Sequence, residues 1–119
     1  MATGSGPSEG NRTLPFEIGA ATLAELGDSG VEVRILDVRE PWELEICRFP
    51  GSLDIPLGML PARLGEVPGD IPVIVVCHHG MRSRQAAMWL RAQGFGNVVN
   101  LDGGIDAWAR EIDKSMGTY

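Results

Sequence analysis

Four consecutive β-branched residues, Val73-Ile74-Val75-Val76, run directly into Cys77. A run without polar alternation describes a strand buried on both faces, and two-sided burial belongs to parallel sheets covered by helices. The polar stretch His78-His79-Gly80-Met81-Arg82-Ser83 follows as a loop. Residues 84–95 then carry a helical pattern, with Ala86, Ala87, Trp89 and Leu90 on or near one face and Gly94 as the stop. Strand, tight loop and helix in that order place Cys77 at the carboxyl end of a parallel strand, where open α/β sheets bind their ligands. Loop amides and the positive end of the helix favour an anion there. A thiolate is such an anion, so the position predicts a thiol poised to ionise and a nucleophilic sulfur. Arg82 nearby adds a cation to the nest of amides.

The rest of the chain supplies partners for this unit. Residues 1–13 are mainly Gly, Ser, Pro, Thr and other polar residues and read as a flexible arm, leaving 14–119 as one domain. Strands are expected at Leu14–Ile18, Val31–Asp37, Ile71–Val76 and Val98–Leu101, with a very short one inside 47–56. Thr22-Leu23-Ala24-Glu25 has the spacing of a capping box and predicts a helix with Thr22 as N-cap. Pro41 suits the first position of a short helix, in which Trp42, Leu44 and Ile46 supply apolar contacts. Leu57, Leu60 and Leu64 recur at helical spacing around Pro61, and Ile105, Ala107, Trp108 and Ile112 mark a final helix. Helical patterns alternating with short apolar strands make an α/β fold with a mainly parallel sheet. Gly103-Gly104 lacks the pattern of a phosphate-binding turn, so backbone geometry explains it better.

Four stretches taken together resemble the rhodanese family of sulfurtransferases. They are Leu36-Asp37-Val38-Arg39-Glu40, Pro50-Gly51-Ser52-Leu53-Asp54-Ile55-Pro56, Cys77-His78-His79-Gly80-Met81-Arg82-Ser83, and Asn100-Leu101-Asp102-Gly103-Gly104-Ile105-Asp106-Ala107-Trp108. They stand in the family's order and cover most of the chain from about residue 16. Arg48 departs from the pattern, since the family usually has a histidine there. The resemblance implies a rhodanese-like fold, a five-stranded mainly parallel sheet with helices on both faces. It implies that Cys77 is the nucleophile, attacking the outer sulfur of a donor such as thiosulfate to form a persulfide. Cyanide or an acceptor thiol then takes that sulfur. His78, His79, Gly80, Met81, Arg82 and Ser83 form the active-site loop, with Asp37 and Arg39 in support. No metal or organic cofactor is implied.

Several readings remain side by side. Arg82 either attracts a sulfonate or makes a salt bridge to Asp37 or Glu40; Arg39 and Glu40 are expected in an ion-pair network nearby. Asp37 reads as a turn cap or arginine partner rather than a general base. Adjacent histidines do not have the spacing of a zinc motif, so no metal site is assigned. Cys47 reads as an isolated thiol, with a resolving role in turnover as the alternative. Cys77 to Arg82 is C-x4-R, one residue shorter than the loop that phosphatases and arsenate reductases wrap around an oxyanion, which disfavours those activities. A persulfide carrier serving one protein partner and a non-catalytic binding module complete the rivals. The formal net charge of −6 argues against nucleic acid, and no apolar run is long enough to span a membrane. Two cysteines and a start without a secretory pattern predict a reduced, cytoplasmic setting.

Overall fold

The computed structural model describes residues 14–119; the predicted arm, 1–13, lies outside them. In chain order the elements are β1 (Glu17–Ile18), α1 (Ala20–Asp28), β2 (Arg34–Asp37), α2 (Pro41–Leu44) and β3 (Leu53–Asp54). Two 3₁₀ turns follow, Leu57–Met59 and Leu64–Glu66. Then come β4 (Val73–Val76), α3 (Met81–Ala92), β5 (Val98–Leu101) and α4 (Gly104–Glu111). The five strands form one parallel sheet in the order β1-β5-β4-β2-β3. This is the α/β architecture that the strand and helix patterns predict.

Every residue of β4 is buried, as its unbroken apolar run requires. Its side chains alternate between two cores. Val73 and Val75 join Leu36, Val38, Ala86, Ala87 and Leu90 on the α3 face, with Cys77 at the end of that row. Ile74 and Val76 join Leu23, Leu26, Val99, Leu101 and Ile105 on the α1 and α4 face. Cys47 belongs to this second core. Both thiols are free.

Some local expectations change. Helix α1 starts at Ala20 with Gly19 at the N-cap and no side-chain cap, so Thr22 lies inside the helix and exposed. Burying Ala20, Leu23 and Leu26 on one face requires the earlier start, which outweighs the local Thr22 signal. The capping box occurs instead at α2, where the Glu40 side chain and the N3 residue Glu43 serve each other's backbone amides. Glu40 therefore caps a helix rather than joining Arg39 in an ion pair. Helix α2 also turns its charge inward. Glu43 is buried, whereas Trp42 is 61% exposed and meets only the edge of Tyr119 among the aromatic rings described. Leu57 and Leu64 open two separate 3₁₀ turns, with Leu60 capping the first, so the helical spacing is broken around Pro61. Helix α3 begins at Met81, three residues before the predicted start, so Met81, Arg82 and Ser83 are its first turn and not loop.

Candidate active site

Cys77 follows the last residue of β4 and is 1% exposed. Three residues carry the chain from there into α3, and Gly80 makes the turn with φ +104°. That conformation is open to glycine and resisted by side chains. It aims the Gly80 amide back at Cys77 Sγ, 3.1 Å away. Arg84 N–H closes the first helical bond to Gly80 O, so the positive end of α3 opens toward the sulfur. Ser83 Oγ, fully buried in that first turn, lies 3.3 Å from Sγ.

The outward side of the loop is held by α4. Ile105 N–H donates to Cys77 O at 2.9 Å and Asp106 N–H to His78 O at 3.0 Å. Two otherwise orphaned amides of α4 thus anchor the loop carbonyls, leaving the loop's own donors for the sulfur. This close approach explains Gly103-Gly104 without a phosphate. Gly104 has φ +63°, and a Cβ there would come within 2.6 Å of Cys77 O.

Arg82 meets neither Asp37 nor Glu40. Its two terminal nitrogens bind the two oxygens of Glu43 at 2.7 and 2.8 Å. This fork raises the Arg82 pKa against partial burial, and it lowers Glu43 to about 2, assisted by Tyr119 and the Glu40 amide and opposed by desolvation. Asp37 and Arg39 form a fully buried pair with bonds of 2.7 to 3.2 Å. Burial works against the Arg39 charge, and the hydrogen bonds to Asp37 and Tyr119 overcome it, so its pKa is raised. The Arg39 guanidinium also donates to Cys47 O, Glu43 O and the Tyr119 hydroxyl. The pair ties the end of β2 to α2; among the described residues, no hydrogen bond joins either member to residues 77–83. Arg48 pairs with Asp54 at the surface, and Arg84 with Glu17.

Tyr119 roofs the loop. Its ring stacks on His78 at 3.8 Å, and its hydroxyl donates to Glu43 Oε2 at 2.6 Å. Desolvation raises its pKa to about 12, so it is a neutral donor at physiological pH. His78 is shifted downward by burial and by its neighbour His79. Potential ligand atoms of His78, His79 and Asp106 lie within 4.8 Å of one another. Asp106 is already engaged by Arg110 at 2.8 Å, however, and the two imidazoles stack on each other. Met81 is 76% exposed at the loop's edge.

Three residues of this site are given no role by the sequence, although Asn100 opens one of the four stretches that resemble the family. Glu43 sits in a helix whose apolar neighbours look inward on paper. Tyr119 meets Arg39 across 80 positions of chain. Asn100 is fully buried in β5 and bonds Ser83, Gly80 and Glu17. Only Asn100 carried a signal, as a polar residue inside an apolar strand.

The profile of the rhodanese-like domain family matches residues 20–111. A sulfurtransferase of Allochromatium vinosum is 39% identical over 94 residues, covering 79% of this chain and 88% of its own. The putative sulfur carrier protein YrkF of Bacillus subtilis is 36% identical over 110 residues, 92% of this chain and 59% of its own. Among solved structures, a rhodanese-related protein from Thermoplasma volcanium superimposes with a TM-score of 0.70 at 35% identity, over 81% of this chain and 92% of that one.

Proposed function

This chain belongs to the rhodanese-like domain family, and on that premise we propose that it is a sulfurtransferase carrying sulfur as a persulfide on Cys77. The observation that carries this reading is the buried Cys77 Sγ held by the Gly80 amide at the N-terminus of α3. A fixed donor beside a sulfur stabilises negative charge without reorganising, the logic of an oxyanion hole applied to a sulfur anion. The Cys77 thiolate attacks the outer sulfur of the donor. A sulfur–sulfur bond forms, the donor's own bond to that sulfur breaks, and the leaving group departs with the electron pair. With thiosulfate the leaving group is sulfite. In the second half-reaction cyanide or a thiolate takes the outer sulfur and returns the Cys77 thiolate.

The Arg82 fork on Glu43 favours a second reading, a persulfide carrier fed by a partner protein. Glu43 largely balances the charge that would draw a sulfonate, and the similar Bacillus subtilis protein is described as a putative sulfur carrier. Intact-protein mass spectrometry after incubation with thiosulfate tests the first reading. One added sulfur atom on the wild type, removed by cyanide and missing in Cys77→Ser, is expected. Absence of the adduct on the wild type overturns thiosulfate as the donor. Transfer from a persulfidated protein donor then decides for or against the carrier.

A further inference from the structure

A fully buried asparagine in the central part of a sheet calls for an account of each of its hydrogen bonds. Asn100 Nδ2 lies 2.6 Å from Glu17 Oε2 and 3.2 Å from Gly80 O. Both are acceptors, so the NH₂ group must face them. The amide oxygen therefore faces Ser83 Oγ, 2.5 Å away. That oxygen can only accept, and a hydroxyl has one proton to give. Ser83 must spend its proton on Asn100 and turn a lone pair toward Cys77 Sγ at 3.3 Å. A thiol can donate to that lone pair; a thiolate is repelled by it.

We propose that Asn100 is a positioning residue for the Cys77 sulfur, acting through Ser83. It holds the serine hydroxyl in the orientation that suits the resting thiol. When Cys77 ionises, its proton leaves to solvent, and Asn100 Oδ1 keeps the Ser83 proton away from the sulfur anion. The hydroxyl thus opposes ionisation in one orientation and assists it in the other, and Asn100 sets the balance. The surrounding charges are Glu17 with Arg84, Glu43 with Arg82, and Asp106 with Arg110 and His79, together with the histidine at 78 and the Tyr119 phenol. Substitution at position 100 removes none of these groups.

The proposal rests on Cys77 being the reacting sulfur, but its test reads alkylation rather than sulfur transfer, so the two can fail separately. The test is the rate of iodoacetamide labelling as a function of pH, followed on the Cys77 peptide by mass spectrometry so that Cys47 does not interfere. In Asn100→Val the freed Ser83 proton turns to the sulfur. Labelling near neutral pH is expected to rise roughly tenfold, the scale of one hydrogen bond to an anion, with the rate profile displaced to lower pH. Ser83→Ala is expected to label no more slowly than wild type, and Ser83→Ala/Asn100→Val to match Ser83→Ala. A serine that simply donates to the thiolate requires the opposite sign for Ser83→Ala. Slower labelling of Ser83→Ala overturns the proposal, as does an unchanged Asn100→Val or an Asn100→Val gain that persists without the serine. Should Asn100→Val fail to fold, the sign for Ser83→Ala alone decides.

Discussion

Replacing Glu43 by glutamine removes one charge from a side chain that is 3% exposed and leaves its shape in place. In the folded protein Glu43 ionises at about 2 instead of 4.5, because the Arg82 fork and the Tyr119 and Glu40 donors outweigh desolvation. At ~1.4 kcal/mol for each tenfold change in proton affinity, that difference is worth about 3 kcal/mol. Arg82 keeps 38% of its side chain exposed, and solvent screening reduces the net contribution to about 2 kcal/mol. Because the folded-state value lies below the unfolded one, this stability is fully present above 4.5 and is lost as pH falls toward about 2. Urea unfolding of wild type and Glu43→Gln at about pH 7 should therefore differ by about 2 kcal/mol, or by roughly 10 °C in Tm. By about pH 3 the gap should have narrowed by more than half. A gap that stays constant across this range would refute the electrostatic argument and leave only packing to explain the loss. A gap near zero at neutral pH would show that Arg82 and solvent compensate each other fully.

Two further outcomes follow from buried geometry. Gly104→Ala forces a Cβ against Cys77 O at a positive φ; it should cost roughly 1–3 kcal/mol of stability and slow persulfide formation at least about tenfold, read by the mass adduct's time course. Arg39→Met strands the fully buried Asp37 carboxylate and should cost about 3–5 kcal/mol in urea unfolding, with much of the loss recovered in Asp37→Leu/Arg39→Met.

The sheet was legible because its signals are local and redundant. The Val73–Val76 run and the Val98–Leu101 strand each have one sensible environment, and the Gly-rich exit after Leu101 marks a tight turn. The position of Cys77 at a strand end followed from that pattern alone. Where two local signals competed, sequence could not arbitrate. Thr22 and Glu25 carry the residues of a capping box, yet the helix starts earlier because its apolar face needs Ala20. In α2 the apolar residues look like the buried side, but Glu43 is drawn inward by an arginine 39 positions later.

The sequence by itself determined the parallel α/β order, the cysteine at the end of its central strand and the tight glycine exit after Leu101. These depend on periodicity and backbone freedom, which are properties of neighbouring residues. Only the tertiary structure decided which charges meet. Arg82 takes Glu43, Arg39 takes Asp37, Tyr119 bridges Arg39 and Glu43, and Asn100 Oδ1 accepts a hydrogen bond from Ser83. Ion pairs and hydrogen bonds act over a few ångströms of space regardless of separation along the chain. The side chains that surround the loop are therefore brought there by contacts that no local pattern encodes.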